Sequence, residues 1–178
     1  MMTKDELTTI LDSWDSLTLM KMNVEGHPDY LPGLMDIALN GRDRHSWRAA
    51  WIADKINEQN PGIIEPWIPE ITEKLRDTRH SGKKRQFLKL LSLYPISEEY
   101  RSFLMDYCLQ VLESAAEPPG VKAHAMQVMY NISEYEPELK EELLQILKFE
   151  IEIRESAGVQ ARARRLAEKL AREIRMKR

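Results

Sequence analysis

Apolar residues recur along this chain at the spacing of helical stripes. Val121, Ala125, Val128, Met129 and Ile132 fall on one helical face. Val159, Ala163, Leu166, Ala167 and Leu170 repeat the arrangement further on, and Phe87, Leu90 and Leu91 take equivalent places earlier. Nearer the start, Leu31, Leu34, Met35, Ala38 and Leu39 stand at i, i+3, i+4, i+7 and i+8, the pattern of one buried stripe. No strand-like alternation runs to a useful length.

The stripes are periodic at a longer scale. Four segments open alike, at Ser46-Trp47-Arg48-Ala49-Ala50, Gly82-Lys83-Lys84-Arg85-Gln86, Gly120-Val121-Lys122-Ala123-His124 and Gly158-Val159-Gln160-Ala161-Arg162, with spacings of 36, 38 and 38 residues. A fixed period near 40 residues with helical punctuation is the signature of stacked helix pairs. The first unit departs from the others. Trp47, Ala50 and Trp51 fit the stripe, but Asp54 falls where Leu90, Val128 and Leu166 sit. Either the register of that unit is displaced, or a carboxylate faces the core and needs a partner.

Punctuation sets the expected elements. Thr3-Lys4-Asp5-Glu6 has the form of a capping box and predicts a helix through about residue 14. Residues 15–27 read as a loop or a damaged first repeat. Pro28 suits the first turn of a helix that Asn40-Gly41 stops. Helices then follow over about 46–58, from the Asn60-Pro61-Gly62 turn to 76, and over 83–94, 97–113, 120–132, 138–152 and 158–178. Ser97 with Glu98 and Glu99 supplies a cap and two acids at the positive end of a helix dipole. Pro61, Pro95 and Pro137 mark the breaks within pairs, since a missing N–H is tolerated in a first turn.

Helix pairs of this period, with small inner residues and polar turns, resemble HEAT-like repeats of the armadillo-type α-solenoids. The resemblance covers residues 28–178, with residues 1–27 as an N-terminal cap helix and loop of the same single domain. It implies an all-α fold, a right-handed α-α superhelix of antiparallel helix pairs. It also implies a surface for a protein, peptide or nucleic-acid partner rather than a catalytic pocket. Open solenoid ends need polar outer faces. The last helix supplies one, with Arg162, Arg164, Arg165, Lys169, Arg172, Arg175, Lys177 and Arg178 around a narrow apolar stripe.

Composition narrows the picture. A chain of 178 residues, 43% hydrophobic and 31% charged, can bury a core and is neither disordered nor membrane-spanning. The single cysteine, Cys108, excludes an internal disulfide and points to a reducing compartment. The N-terminus has no basic start followed by an apolar run, so a cytoplasmic location is expected. Net charge is −3, which is no global footprint of a nucleic-acid binder. The charge is segregated, however. Residues 1–40 carry 2 basic and 7 acidic side chains, 41–90 carry 11 and 7, 91–153 carry 4 and 12, and 154–178 carry 9 and 3.

The unit starts hold much of the positive charge. Arg44, Arg48, Lys83, Lys84, Arg85, Lys122 and Arg162 would align as a basic ridge if equivalent positions stack. Such a ridge could hold phosphates or an acidic peptide. Charge runs on helices are usually soluble surface, so the same residues read more readily as solvated faces or as partners of neighbouring acids. Trp47 and Trp51, one turn apart, are core or a stacking platform. Trp67, between Pro66 and Pro69, is a candidate aromatic anchor because prolines inside a helix kink it. His45, His80 and His124 recur near unit starts, but repeats about 10 Å apart hold them too far apart for one metal. No nucleophile motif, P-loop or dinucleotide fingerprint occurs, so no cofactor and no catalytic residue is expected. One enzyme class shares the architecture: Trp14-Asp15 resembles a Trp-Asp pair of the HEAT-like DNA alkylation-repair glycosylases, but it precedes the repeats in an acidic segment.

The sequence therefore predicts a non-enzymatic helical scaffold for a macromolecular partner, a protein or acidic peptide first. The alternative is a nucleic-acid binder related to those glycosylases. No membrane span, and a monomer or weak oligomer, are expected.

Overall fold

The computed structural model describes residues 3–12, 26, 28–153 and 156–176, and every regular element among them is helical. Thr3 opens the first helix, α1 (Lys4–Ile10), through a complete capping box: the Glu6 N–H donates to Thr3 Oγ1 at 3.3 Å, and the Thr3 N–H donates to Glu6 Oε2 at 2.7 Å. Two orphan donors at the helix start are thus satisfied. The helix ends at Ile10 and Leu11-Asp12 form a turn, short of the predicted end at Trp14; Trp14, Asp15 and His27 lie outside the described residues.

Eight further helices follow among the described residues: α2 (Leu31–Asn40), α3 (Asp43–Gln59), α4 (Ile68–Leu75), α5 (Ser81–Leu91), α6 (Glu98–Glu113), α7 (Pro119–Tyr135), α8 (Lys140–Glu152) and α9 (Ala157–Met176). Short 3-10 turns at Pro28–Tyr30, Glu65–Trp67 and Pro137–Leu139 lead into α2, α4 and α8. Each contains a proline, which fits because such a turn leaves its first N–H groups without helical partners.

The observed helix starts correct the sequence register. α3, α5, α7 and α9 begin at residues 43, 81, 119 and 157, a constant step of 38 residues. The alignment on Ser46 sets the first unit two residues late. Aligned on the true starts, Ile52 rather than Asp54 is the counterpart of Leu90, Val128 and Leu166, and all four are at most 2% exposed. Ala49, Phe87, Ala125 and Ala163 form a second buried row, each with no exposure. Asp54 falls beside the stripe, yet it too is buried, at 1% exposure. Its partner is Lys89 on α5, with Nζ 2.5 Å from Asp54 Oδ2 and 2.9 Å from Glu58 Oε1.

Two local expectations change. Ser97 stands at the N-cap of α6, but its hydroxyl makes no capping bond and reaches only Glu99 Oε1, at 3.4 Å. The acids of that first turn carry the dipole interaction alone. Trp67 does not sit in a kinked helix. Pro66 lies within the 3-10 turn and Pro69 in the first turn of α4, so Trp67 is a half-buried residue at a helix entrance.

Gly41 stops α2 in an extended conformation (φ −73°, ψ 170°), not the left-handed one that commonly recruits glycine. Its bareness matters for a different reason. The Gly41 N–H donates to Ile37 O at 2.8 Å, and a Cβ at this position would lie 2.5 Å from that oxygen. Gly41→Ala is expected to cost about 1–2 kcal/mol through the forced shift. A urea midpoint equal to that of the parent chain would refute this. The left-handed glycine is Gly62 (φ 97°), which reverses the chain after α3.

The chain divides into two compact units, Met1–Leu90 and Leu91–Arg178. In the first, α1 packs on α2 and α2 packs on α3. In the second, α6 packs on α7, α8 on α9, and α9 also on α7. Burial of Phe87, Leu34, Met35 and Ile71 builds the first core, and of Leu104, Val128, Leu147 and Leu166 the second. Each such side chain contributes roughly 1.5–3 kcal/mol of hydrophobic stabilisation.

Candidate functional site

The basic residues at the unit starts do not stand out as one exposed face. Arg48 is 5% exposed, Lys83 8% and Lys122 2%. The local contacts explain why cations are drawn inward. A helix leaves its last carbonyls without partners, and a cation there meets both an acceptor and the negative end of the dipole. Arg48 Nη1 donates to Leu11 O at 2.5 Å and to Asp12 O at 2.9 Å, just past the end of α1. Arg44 Nη2 donates to Asp12 O at 2.8 Å. His45 Nε2 lies 2.7 Å from Asp12 Oδ1. That hydrogen bond, with the charges of His45, Arg44 and Arg48, holds the Asp12 carboxyl below its usual range.

The same logic closes α2. The Gly41 N–H takes Ile37 O, the Ser46 hydroxyl donates to Ala38 O, and Lys83 Nζ donates to Leu39 O at 3.1 Å. Lys83 also lies 5.4 Å from the Phe87 ring centroid. His80 serves the start of α5, where its Nδ1 accepts from the Lys83 N–H at 3.3 Å. In the second unit, Arg162 is half-buried and donates from Nη1 to Gln127 Oε1 at 2.8 Å. Lys84 is half-buried, and Arg85 is the exposed cation of its turn. Trp47 and Trp51 are half-buried, and Trp47 packs where a side chain at Gly82 would lie.

Among the described residues no group of three or more His, Cys, Asp or Glu is placed to hold a metal. Cys108 is buried, and burial pushes its thiol pKa up.

The second unit holds two further features. The first is a polar cluster joining α7, α8 and α9. Tyr130, 3% exposed, donates its hydroxyl to Glu173 Oε1 at 2.6 Å. Lys140 Nζ donates to Glu173 Oε2 at 2.7 Å and also to Glu134. Lys169 Nζ lies 4.3 Å from the Tyr130 ring centroid. Burial works against ionisation of Glu173, but the bonds from Lys140 and Tyr130 outweigh it, and the carboxyl sits below its usual range. Burial likewise opposes the charge on Lys140, and its bonds to Glu134 and Glu173 raise its pKa overall.

The second is a groove of about 820 Å³ between α6 and α8. Leu109, Leu112 and Glu113 of α6 form one wall, and Ile146, Phe149 and Ile153 form the other. Phe149 is 60% exposed and Ile153 44%. Lys122 and Glu150 also line it, and both are buried, at 2% and 4% exposure. They make a charged floor beneath apolar walls. The α6 residues turned to solvent are Glu98, Glu99, Ser102, Asp106, Gln110 and Glu113, four acids and no base. On α8 they include Glu141, Glu142 and Glu152 against Lys148. By contrast, α9 turns Arg164, Arg165, Lys169, Arg172 and Arg175 outward, with Glu168 as the acid among them.

The groove had a signal in the sequence. α8 buries Leu143, Leu147 and Glu150, while Ile146, Phe149 and Ile153 form a second stripe at i, i+3 and i+7. One helix with two apolar stripes packs one and offers the other.

No helix among the described residues is long and apolar enough to cross a membrane. Compared with known families, the chain matches a model described as a HEAT repeat domain over residues 4–170. No curated protein and no solved structure gives a significant match.

Proposed function

The chain belongs to the HEAT repeat family, and from that premise we propose that it is a non-catalytic cytoplasmic scaffold whose α6–α8 face holds a protein partner. The observation that carries this reading is the open groove with Phe149 and Ile153 at its edge. Large apolar side chains at that exposure, gathered at one depression, mark interaction sites more often than ordinary surface. Repeat proteins of this kind bind through extended helical faces, not through a single pocket of reactive groups.

A nucleic-acid partner is the second reading. It is favoured by the outward basic face of α9, not by the buried cations of the unit starts. The two readings place the contact on different helices. A photo-crosslinking amino acid at position 149, and separately at position 172, tests both in cells. The scaffold reading expects a discrete adduct at 149 that protease removes and nuclease does not. Adducts confined to position 172 and lost on nuclease treatment would replace it with the nucleic-acid reading, which also expects steep weakening by salt.

A further inference from the structure

We infer that the groove between α6 and α8 receives a basic amphipathic helix of the partner protein, with an apolar side chain seated between the walls and lysines or arginines over the acidic borders. This rests on the scaffold reading above and adds the chemistry of the partner. Shape comes first. The wall on α8 runs from Gln145 to Ile153, which at helical rise is about 12 Å, or two turns. A groove of that length between two helices suits a helix with anchors at i, i+3 or i+4, and i+7.

Charge then selects among occupants. Glu113 lines one wall, with Asp106 three residues before Leu109 on the same helical face, and Glu152 stands three residues after Phe149 on the other, all exposed, against Lys148 as the exposed base of that wall. Phosphate-rich surfaces, whether nucleic acid or anionic lipid, are repelled by such a rim. A second copy docking the same face would meet those acids with its own, because a two-fold interface is self-complementary. The outward face of α9 from another copy has the right charge, but its exposed large apolar side chain is Met176 at the end of the helix, with Ile174 half-buried beside it, so it offers one terminal anchor and not a stripe two turns long. A cationic helix with its own apolar stripe satisfies both demands.

The test uses the full chain and a fluorescein-labelled synthetic helix of about 18 residues built from leucine and lysine, long enough to hold helical structure. Its leucine–glutamate counterpart is the control. Fluorescence anisotropy should show saturable binding of the lysine peptide and none of the glutamate peptide. Phe149→Glu should weaken binding at least about tenfold, as expected for a buried anchor contact. Glu113→Lys should weaken it about threefold or more and reduce its salt dependence. Glu70→Lys, on an exposed position of the first unit, should change nothing. Because Phe149 and Glu113 are exposed, helical content measured by circular dichroism should be retained in both variants. The inference is overturned if the lysine peptide does not bind, if both peptides bind alike, or if Phe149→Glu and Glu113→Lys leave binding unchanged. A protein adduct at position 149 alongside a silent lysine peptide overturns the partner chemistry alone. Loss of the adduct as well removes the scaffold reading.

Discussion

Replacing Lys89 by methionine is expected to lower the stability of the first unit by about 3 kcal/mol, a large share of the roughly 5–15 kcal/mol that holds a domain folded. The reason is the carboxylate left behind. Asp54 is 1% exposed, and Lys89 Nζ, 2.5 Å away, is the cation that compensates it. Breaking a buried pair from one side strands a charge in a medium that solvates it poorly. The low end of the usual penalty applies because Lys89 is 26% exposed, so water reaches that end of the pair. Asp54→Leu with Lys89→Met should recover most of the loss, since neither charge then needs solvating. Urea unfolding of the parent, both single variants and the double variant measures the coupling. If Lys89→Met stays within about 0.5 kcal/mol of the parent, Asp54 does not depend on it.

The polar cluster in the second unit should make stability depend on pH at both ends of the scale. The Glu173 carboxyl is held below its usual range in the folded chain. Its contribution is therefore present above the unfolded value of about 4.3 and lost as pH falls through the lower folded value. The Lys140 pKa is raised. Its contribution is present below about 10.4 and lost as pH rises through the higher folded value. Between those limits the contribution of the cluster should be flat. Lys140→Met should reverse the acid slope, because protonating Glu173 then relieves an uncompensated charge, and should weaken the alkaline one, of which Tyr130, pushed up by burial and its bond to Glu173, keeps a share. It costs about 2–3 kcal/mol at neutral pH, because Glu173 and Glu134 lose the ammonium that pairs them. Thermal melts followed by circular dichroism from strongly acid to alkaline pH provide the readout. A Lys140→Met profile parallel to that of the parent would assign the pH dependence to other groups.

Periodicity carried the fold. Val128, Leu166 and their neighbours announce helices of the right length and phase because burial at 3.6-residue spacing leaves a mark on residue type. The register of the first unit was less legible, since Trp47 and Trp51 look as apolar as Ile52 but are only half-buried. Side chains that work on the backbone leave no such mark. Arg48 and Lys83 serve carbonyls at Leu11, Asp12 and Leu39, and every residue has a carbonyl, so nothing in the sequence names the acceptor. That is why Arg48 and Lys83, read from the sequence as members of a surface ridge, close helix ends instead. The α6–α8 groove was half legible. Its wall on α8 is a stripe that can be counted, but that the stripe stays open depends on what packs against α8, which pattern alone does not encode.

The constant 38-residue step has a bearing on how such a chain can change in length. In the second unit, residues 119–156 run from the start of α7 to the residue before α9. Duplicating that segment in tandem would place a copy of the α8 surface beneath α9 and a copy of α7 after the original α8, so each new junction reuses a packing already present. Insertions inside a helix have no such freedom. Two extra residues within α7 would swing everything beyond them by about 200° and carry the next buried row to solvent. Length variation among relatives is thus expected to come in whole units or at turns such as 114–118, and a lengthened chain would present additional grooves side by side along one face, letting it bind a longer or multivalent partner without any new kind of contact.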